Sequence, residues 1–127
     1  MHGGEDHLEL PPRPSSAAQA RRFVNTALDA TDASSREIGV LLTSELVTNA
    51  VLYAQGSITI RVSARDSVFR IAVSDGIAAD VHPRQVGIDA TSGRGLALVE
   101  RLSSAWGVDV SEEGDGKEVW FEVPRSA

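Results

Sequence analysis

Hydrophobic positions along the chain change their period several times, and each change marks an element. Leu8 and Leu10 alternate with polar neighbours ahead of Pro11, Pro12 and Pro14, which predicts a short strand over His7 to Leu10, ended by the prolines. From Ser15–Ser16 the period lengthens. Ala20, Phe23, Val24, Ala27 and Leu28 fall on one side of a helix ending near Ala30, and Ser16 and Gln19 have the spacing of a capping box. A second helix is predicted from Ser34, with capping-box spacing to Glu37, as far as about Ala54, where Gln55-Gly56 stops it. The period then shortens to two. Ile58, Ile60, Val62 and Ala64 alternate with Thr59, Arg61 and Ser63, and Phe69, Ile71 and Val73 alternate with Arg70, Ala72 and Ser74. Arg65-Asp66-Ser67 joins these two strands into an antiparallel hairpin.

No period is sustained from Gly76 to Ser92, and a loop of this length in a small domain is functional or disordered. A third helix is predicted from Gly95 to about Ala105, with Leu96, Val99 and Leu102 on one side. Trp106, Val108 and Val110 alternate in a further strand. Glu112 to Gly116 form a turn, and Val119, Phe121 and Val123 alternate in the last strand. The order β-α-α-β-β-loop-α-β-β predicts a two-layer α/β sandwich of the α+β kind. Its sheet is mixed, mostly antiparallel, and covered by helices on one face. Residues 1–6 are expected to be a disordered tail and 7–124 a single domain. His2, Asp6 and His7 read as polar residues of that end of the chain rather than as a metal site.

Composition narrows the class. A chain of 127 residues with 42% apolar content builds one core. It holds no cysteine, so disulfides, thiolate metal sites and a cysteine nucleophile are excluded, and a cytoplasmic setting is expected. No apolar run approaches the ~20 residues of a spanning helix, and the first residues lack the pattern of a secretory signal. The net charge of −6, with no long basic run, argues against direct binding of nucleic acid.

Three features carry candidate chemistry. On a helical wheel, Ile38, Leu41, Leu42, Leu46, Leu52 and Tyr53 span an arc about 140° wide, with Glu45 and Asn49 near its middle. A carboxylate and an amide four residues apart are neighbours, and inside an apolar stripe they need partners. Either a pocket, a metal ion or a ligand solvates them, or they satisfy each other and the nearby backbone. Asp75 continues the inward parity of Phe69, Ile71 and Val73 to the end of its strand and is followed by Gly76 and the long loop. It can accept hydrogen bonds from a ligand there, or act as an ordinary turn aspartate. Gly93-Arg94-Gly95-Leu96 opens a helix, where free N–H groups and the positive dipole end suit phosphate; a plain glycine-rich connection has the same look. The Walker sequence is absent.

Taken in order, these segments resemble the boxes of the Bergerat-fold, histidine-kinase-like ATPases. Glu45-Leu46-Val47-Thr48-Asn49-Ala50 resembles their N box, Val73-Ser74-Asp75-Gly76 the first glycine box, and Gly93-Arg94-Gly95-Leu96-Ala97-Leu98-Val99 the second. Trp106-Gly107-Val108 and Gly116-Lys117-Glu118-Val119-Trp120-Phe121 are similar to the ending of the anti-sigma-factor serine kinase branch, in its short stand-alone actinobacterial form. The resemblance runs from Leu8 to Val123. It implies an ATP site in which Asn49 coordinates Mg²⁺, Glu45 is the catalytic base and Asp75 takes the adenine amino group. Gly76 belongs to the same set, Gly93, Arg94, Gly95 and Leu96 surround the phosphates, and Ala78 to Ser92 form the lid. It also implies a serine/threonine kinase that phosphorylates an anti-anti-sigma (STAS-type) partner, sequesters a sigma factor and can form a homodimer. Two departures stand out. The first glycine box reads Asp75-Gly76-Ile77-Ala78-Ala79 without the later glycines, and Tyr53 stands where the family often has histidine. The alternative is a regulatory module that binds ATP, or only a protein, without catalysis.

Overall fold

The computed structural model describes residues 5–29, 31–53, 56–75, 93–110 and 117–125. Among them the elements are β1 (Glu5–Leu10), α1 (Ser16–Ala27), α2 (Ala33–Tyr53), β2 (Ile58–Ala64), β3 (Val68–Asp75), α3 (Gly93–Leu102), β4 (Ala105–Val110) and β5 (Lys117–Pro124). The five strands form one sheet in the order β1-β2-β3-β5-β4. Every neighbouring pair is antiparallel, so the sheet is not mixed. Among the described residues the order of helices and strands and the α+β sandwich expected from the sequence are those observed; the expected loop from Gly76 to Ser92 and the turn from Glu112 to Gly116 lie outside them.

Alternation decides the two faces of the sheet. Ile58, Ile60, Val62, Phe69, Ile71, Val73, Phe121 and Val123 are buried on the face that the helices cover. Each such side chain removed from water contributes about 1.5–3 kcal/mol. Gly39 sets how closely α1 and α2 approach: a Cβ there would lie 2.5 Å from Leu28 Cδ1 and 3.9 Å from Ile71 Cδ1. The opposite face carries no helix among the described residues, and it holds ion pairs. Arg70 Nε donates to Glu122 Oε2 at 2.9 Å, and Arg61 pairs with Glu118. Trp120 lies half-buried on this face, where the Arg70 guanidinium sits 3.9 Å from its ring centroid. A Cβ on Gly107 would meet the same ring at 2.7 Å.

Several local expectations are corrected. β1 begins at Glu5, so Glu5 and Asp6, expected in a tail, pair with Ser63 and Val62. Neither capping box forms. Ser16 Oγ donates instead to the Pro11 carbonyl at 2.6 Å. The cap of α2 is Asp32, whose Oδ2 accepts from the Ser35 N–H at 3.0 Å. A carboxylate at that position also meets the positive end of the helix dipole. The third helix occupies Gly93–Leu102 rather than Gly95 to Ala105, and its expected apolar side is only partly buried: Val99 is fully buried, whereas Leu102 is 37% exposed.

Candidate functional site

Chain direction brings the three candidate segments to one end of the sandwich. Register places Leu10, Ile58, Asp75, Lys117 and Val110 at the same end of their strands. α2 starts at the opposite end, where the Thr31 hydroxyl donates to the Pro124 carbonyl at 3.1 Å, and it runs back to hand the chain to β2 at Ile58. Asn49, four residues before the last residue of α2, therefore lies towards the end that holds Asp75. α3 finishes at the opposite end, where Ser104 N–H donates to the Glu122 carbonyl at 2.9 Å, so its N-terminus also points to the Asp75 end.

The helices lie side by side on the covered face, α2 between α1 and α3. α1 touches α2 through Gly39 and through Arg21 Nη1, which donates to Ser44 Oγ at 3.0 Å. Glu45 and Asn49 lie on the opposite flank of α2 from Ser44, which is the flank that faces α3. The wheel is corrected here. Leu42, Thr43, Leu46 and Val47 are 5% exposed or less, whereas Leu41 and Leu52 are 40% and 62% exposed. The buried arc of α2 is thus centred on Ser35, Gly39, Thr43 and Leu46. Glu45 and Asn49 are half-buried on its margin rather than in its middle.

That margin lies on the α3 side of α2, towards the end of the sheet that holds Asp75. Asn49 Nδ2 is buried and has no hydrogen-bond partner among the described residues. An orphaned buried amide costs about 1–3 kcal/mol, and a turn about its last side-chain torsion exchanges its N–H₂ for its carbonyl oxygen at the same place. It therefore suits either a phosphate oxygen or a cation. Among the described residues no group of three or more His, Asp or Glu could hold a metal ion. Mg²⁺ does not need one, since it is commonly held by one or two protein groups together with substrate phosphates and water. The residues present fit that mode of binding.

Asp75 ends β3 half-buried, on the covered face, between Ile58 of β2 and Lys117 of β5. Gly93, Arg94, Gly95 and Leu96 form the first turn of α3, whose leading N–H groups have no partner within the helix. The side chains of Arg94 and Leu96 lie outside what is described, as do Gly76 and the expected lid, Ala78 to Ser92. Lys117 was not among the residues singled out as candidates. Its signal was its parity, since it is the polar first member of the series Lys117, Val119, Phe121 and Val123.

Residues 10–123 match the family model for the histidine kinase-like ATPase domain. No curated protein matches the chain. No helix among the described residues is long and apolar enough to cross a membrane.

Proposed function

The chain belongs to the histidine kinase-like ATPase domain family, which carries ATP binding with it, and from that premise we propose that it is a regulatory serine/threonine kinase of the anti-sigma-factor type. It phosphorylates an anti-anti-sigma (STAS-type) partner with ATP and sequesters a sigma factor, in the cytoplasm, and can do so as a homodimer. The observation that carries the site is the buried Asn49 amide, which has no partner among the described residues, one helical turn from Glu45 and towards the Asp75 end of the sheet.

In this reading Asp75 accepts a hydrogen bond from the adenine amino group, with Gly76 beside it. The leading N–H groups of Gly93, Arg94, Gly95 and Leu96 hold phosphate oxygens at the positive end of α3. Asn49 would hold Mg²⁺, whose charge offsets that of the phosphates. Glu45 orients the partner's serine hydroxyl and takes its proton as the serine oxygen bonds to the γ-phosphorus and the bond to the ADP oxygen breaks. Such a transfer relies on positioning and charge neutralisation more than on covalent chemistry.

Titration calorimetry of ATP, with and without Mg²⁺, into the wild type and Asn49→Ala tests the site. Mg²⁺-dependent binding that Asn49→Ala abolishes is expected; no binding at millimolar ATP removes the reading. Glu45→Ala is expected to keep ATP binding and lose phosphotransfer to a cognate partner, and unchanged transfer would dismiss Glu45 as the base. A second reading, a module that binds without catalysis, rests on the first glycine box, which continues as Ile77-Ala78-Ala79 rather than with further glycines. Label transfer from ATP to a partner decides between the two.

A further inference from the structure

Lysine is seldom placed on the covered face of a sheet, because its ammonium is costly to desolvate. Lys117 is placed there. Its parity is that of Val119, Phe121 and Val123, and its register partner across the β3–β5 ladder is Asp75. Both residues are half-buried, and the other lateral neighbour of Asp75, Ile58, is wholly buried. Directly opposed residues of an antiparallel pair have Cβ atoms about 4.5–5.5 Å apart on the same face. An acceptor-only carboxylate and a donor-only ammonium thus stand side by side at the end of the sheet towards which Asn49 and the start of α3 point.

We propose that Lys117 is a specificity-determining residue that reads the nucleobase edge together with Asp75. The proposal rests on the reading of Asp75 as the group that accepts from the adenine amino group. Adenine presents that exocyclic donor beside a ring acceptor, N1, and the Asp75–Lys117 pair presents the complementary acceptor and donor. Guanine in the same seat would turn its O6 acceptor towards Asp75 and its N1–H towards Lys117, so that both contacts are mismatched. A carboxylate alone selects any base with an exocyclic amine; the added ammonium asks for an unprotonated ring nitrogen next to it.

The test is a double-mutant cycle in which one of the two changes is made on the ligand. Dissociation constants are measured by calorimetry for the wild type and Lys117→Met, each with ATP and with 1-deaza-ATP, which keeps the amine and replaces the N1 acceptor by C–H. The wild type should bind 1-deaza-ATP about 10- to 100-fold more weakly than ATP, the range for loss of a hydrogen bond to a charged donor. Lys117→Met should lose the same factor for ATP and show almost no further loss with 1-deaza-ATP. The wild-type comparison alone needs no variant to fold. Independent losses from the substitution and from the analogue, or equal binding of the two nucleotides by the wild type, would overturn the role of Lys117. Asp75→Asn, measured beside these, keeps the two levels apart. If the wild type binds ATP and Asp75→Asn does not, the base reading stands whatever Lys117 does. If the wild type binds no ATP, that reading fails and this proposal fails with it.

Discussion

Asn49→Leu exchanges the orphaned amide for an apolar side chain of nearly the same shape, and it should raise the stability of the nucleotide-free protein while destroying its site. The buried Nδ2 gave up water and has no partner among the described residues. Removing such a group returns about 1–3 kcal/mol, and the leucine adds some burial on the flank it shares with Leu46, three residues back. For a chain of this size each kcal/mol moves the midpoint by about 3–6 °C, so a rise of several degrees is expected without nucleotide. ATP with Mg²⁺ at about 100 times its dissociation constant should add about 2.7 kcal/mol to the wild type and nothing to the variant, which closes or reverses the gap. Thermal and urea denaturation, each with and without ATP and Mg²⁺, read both arms. A nucleotide-free Asn49→Leu protein less stable than the wild type by about 1 kcal/mol would refute the reasoning. The amide would then be satisfied in the fold, and a ligand would not be needed to explain it. Retention of the ATP-induced shift by the variant would refute the placement of the site.

Two further substitutions test the scaffold on which the site stands. Thr43 is fully buried and its Oγ1 has no partner among the described residues, so Thr43→Val should stabilise the fold by about 1 kcal/mol at unchanged ATP affinity; a loss of stability in urea denaturation would mean that the hydroxyl is bonded. Asp32→Ala removes the carboxylate that accepts from Ser35 N–H at the start of α2, and it should lower the urea midpoint by the equivalent of about 1 kcal/mol at an unchanged slope, whereas Ser34→Ala should cost less.

Much of the fold was legible because alternation and helical period are properties of the chain itself. The hairpin of β2 and β3 followed from two runs of period two and a short turn, and the order of the elements from successive changes of period. The caps were not legible at this level. Ser16 and Ser34 have capping-box spacing, yet Ser16 Oγ turns to the Pro11 carbonyl, and Asp32, two residues ahead of Ser34, closes the start of α2. The candidate residues of the N box and the glycine boxes stand out in the sequence as a set because their order and spacing resemble those of a known family's boxes. The orientation of α2 was not. A wheel weighs residues by hydropathy, and it gave Leu41 and Leu52 to the core; the fold uses Ser35, Gly39 and Thr43 there instead. Helices that pack closely need small residues at the contact, which hydropathy does not score, and Leu28 occupies the space that a Cβ on Gly39 would take.

From the sequence alone, then, came the elements, their order, the two faces of each strand and the chemistry that each box can offer, since all of these depend on residues close together in the chain. The tertiary structure decided which ends meet. Pairing β1-β2-β3-β5-β4 places the end of β3 beside the start of β5, and so brings Lys117 next to Asp75 across more than forty intervening positions. The packing of α2 against α1 turns Glu45 and Asn49 away from the core's centre and towards α3. Neither relation can be read from local spacing, because each is set by which surfaces bury the most apolar area together.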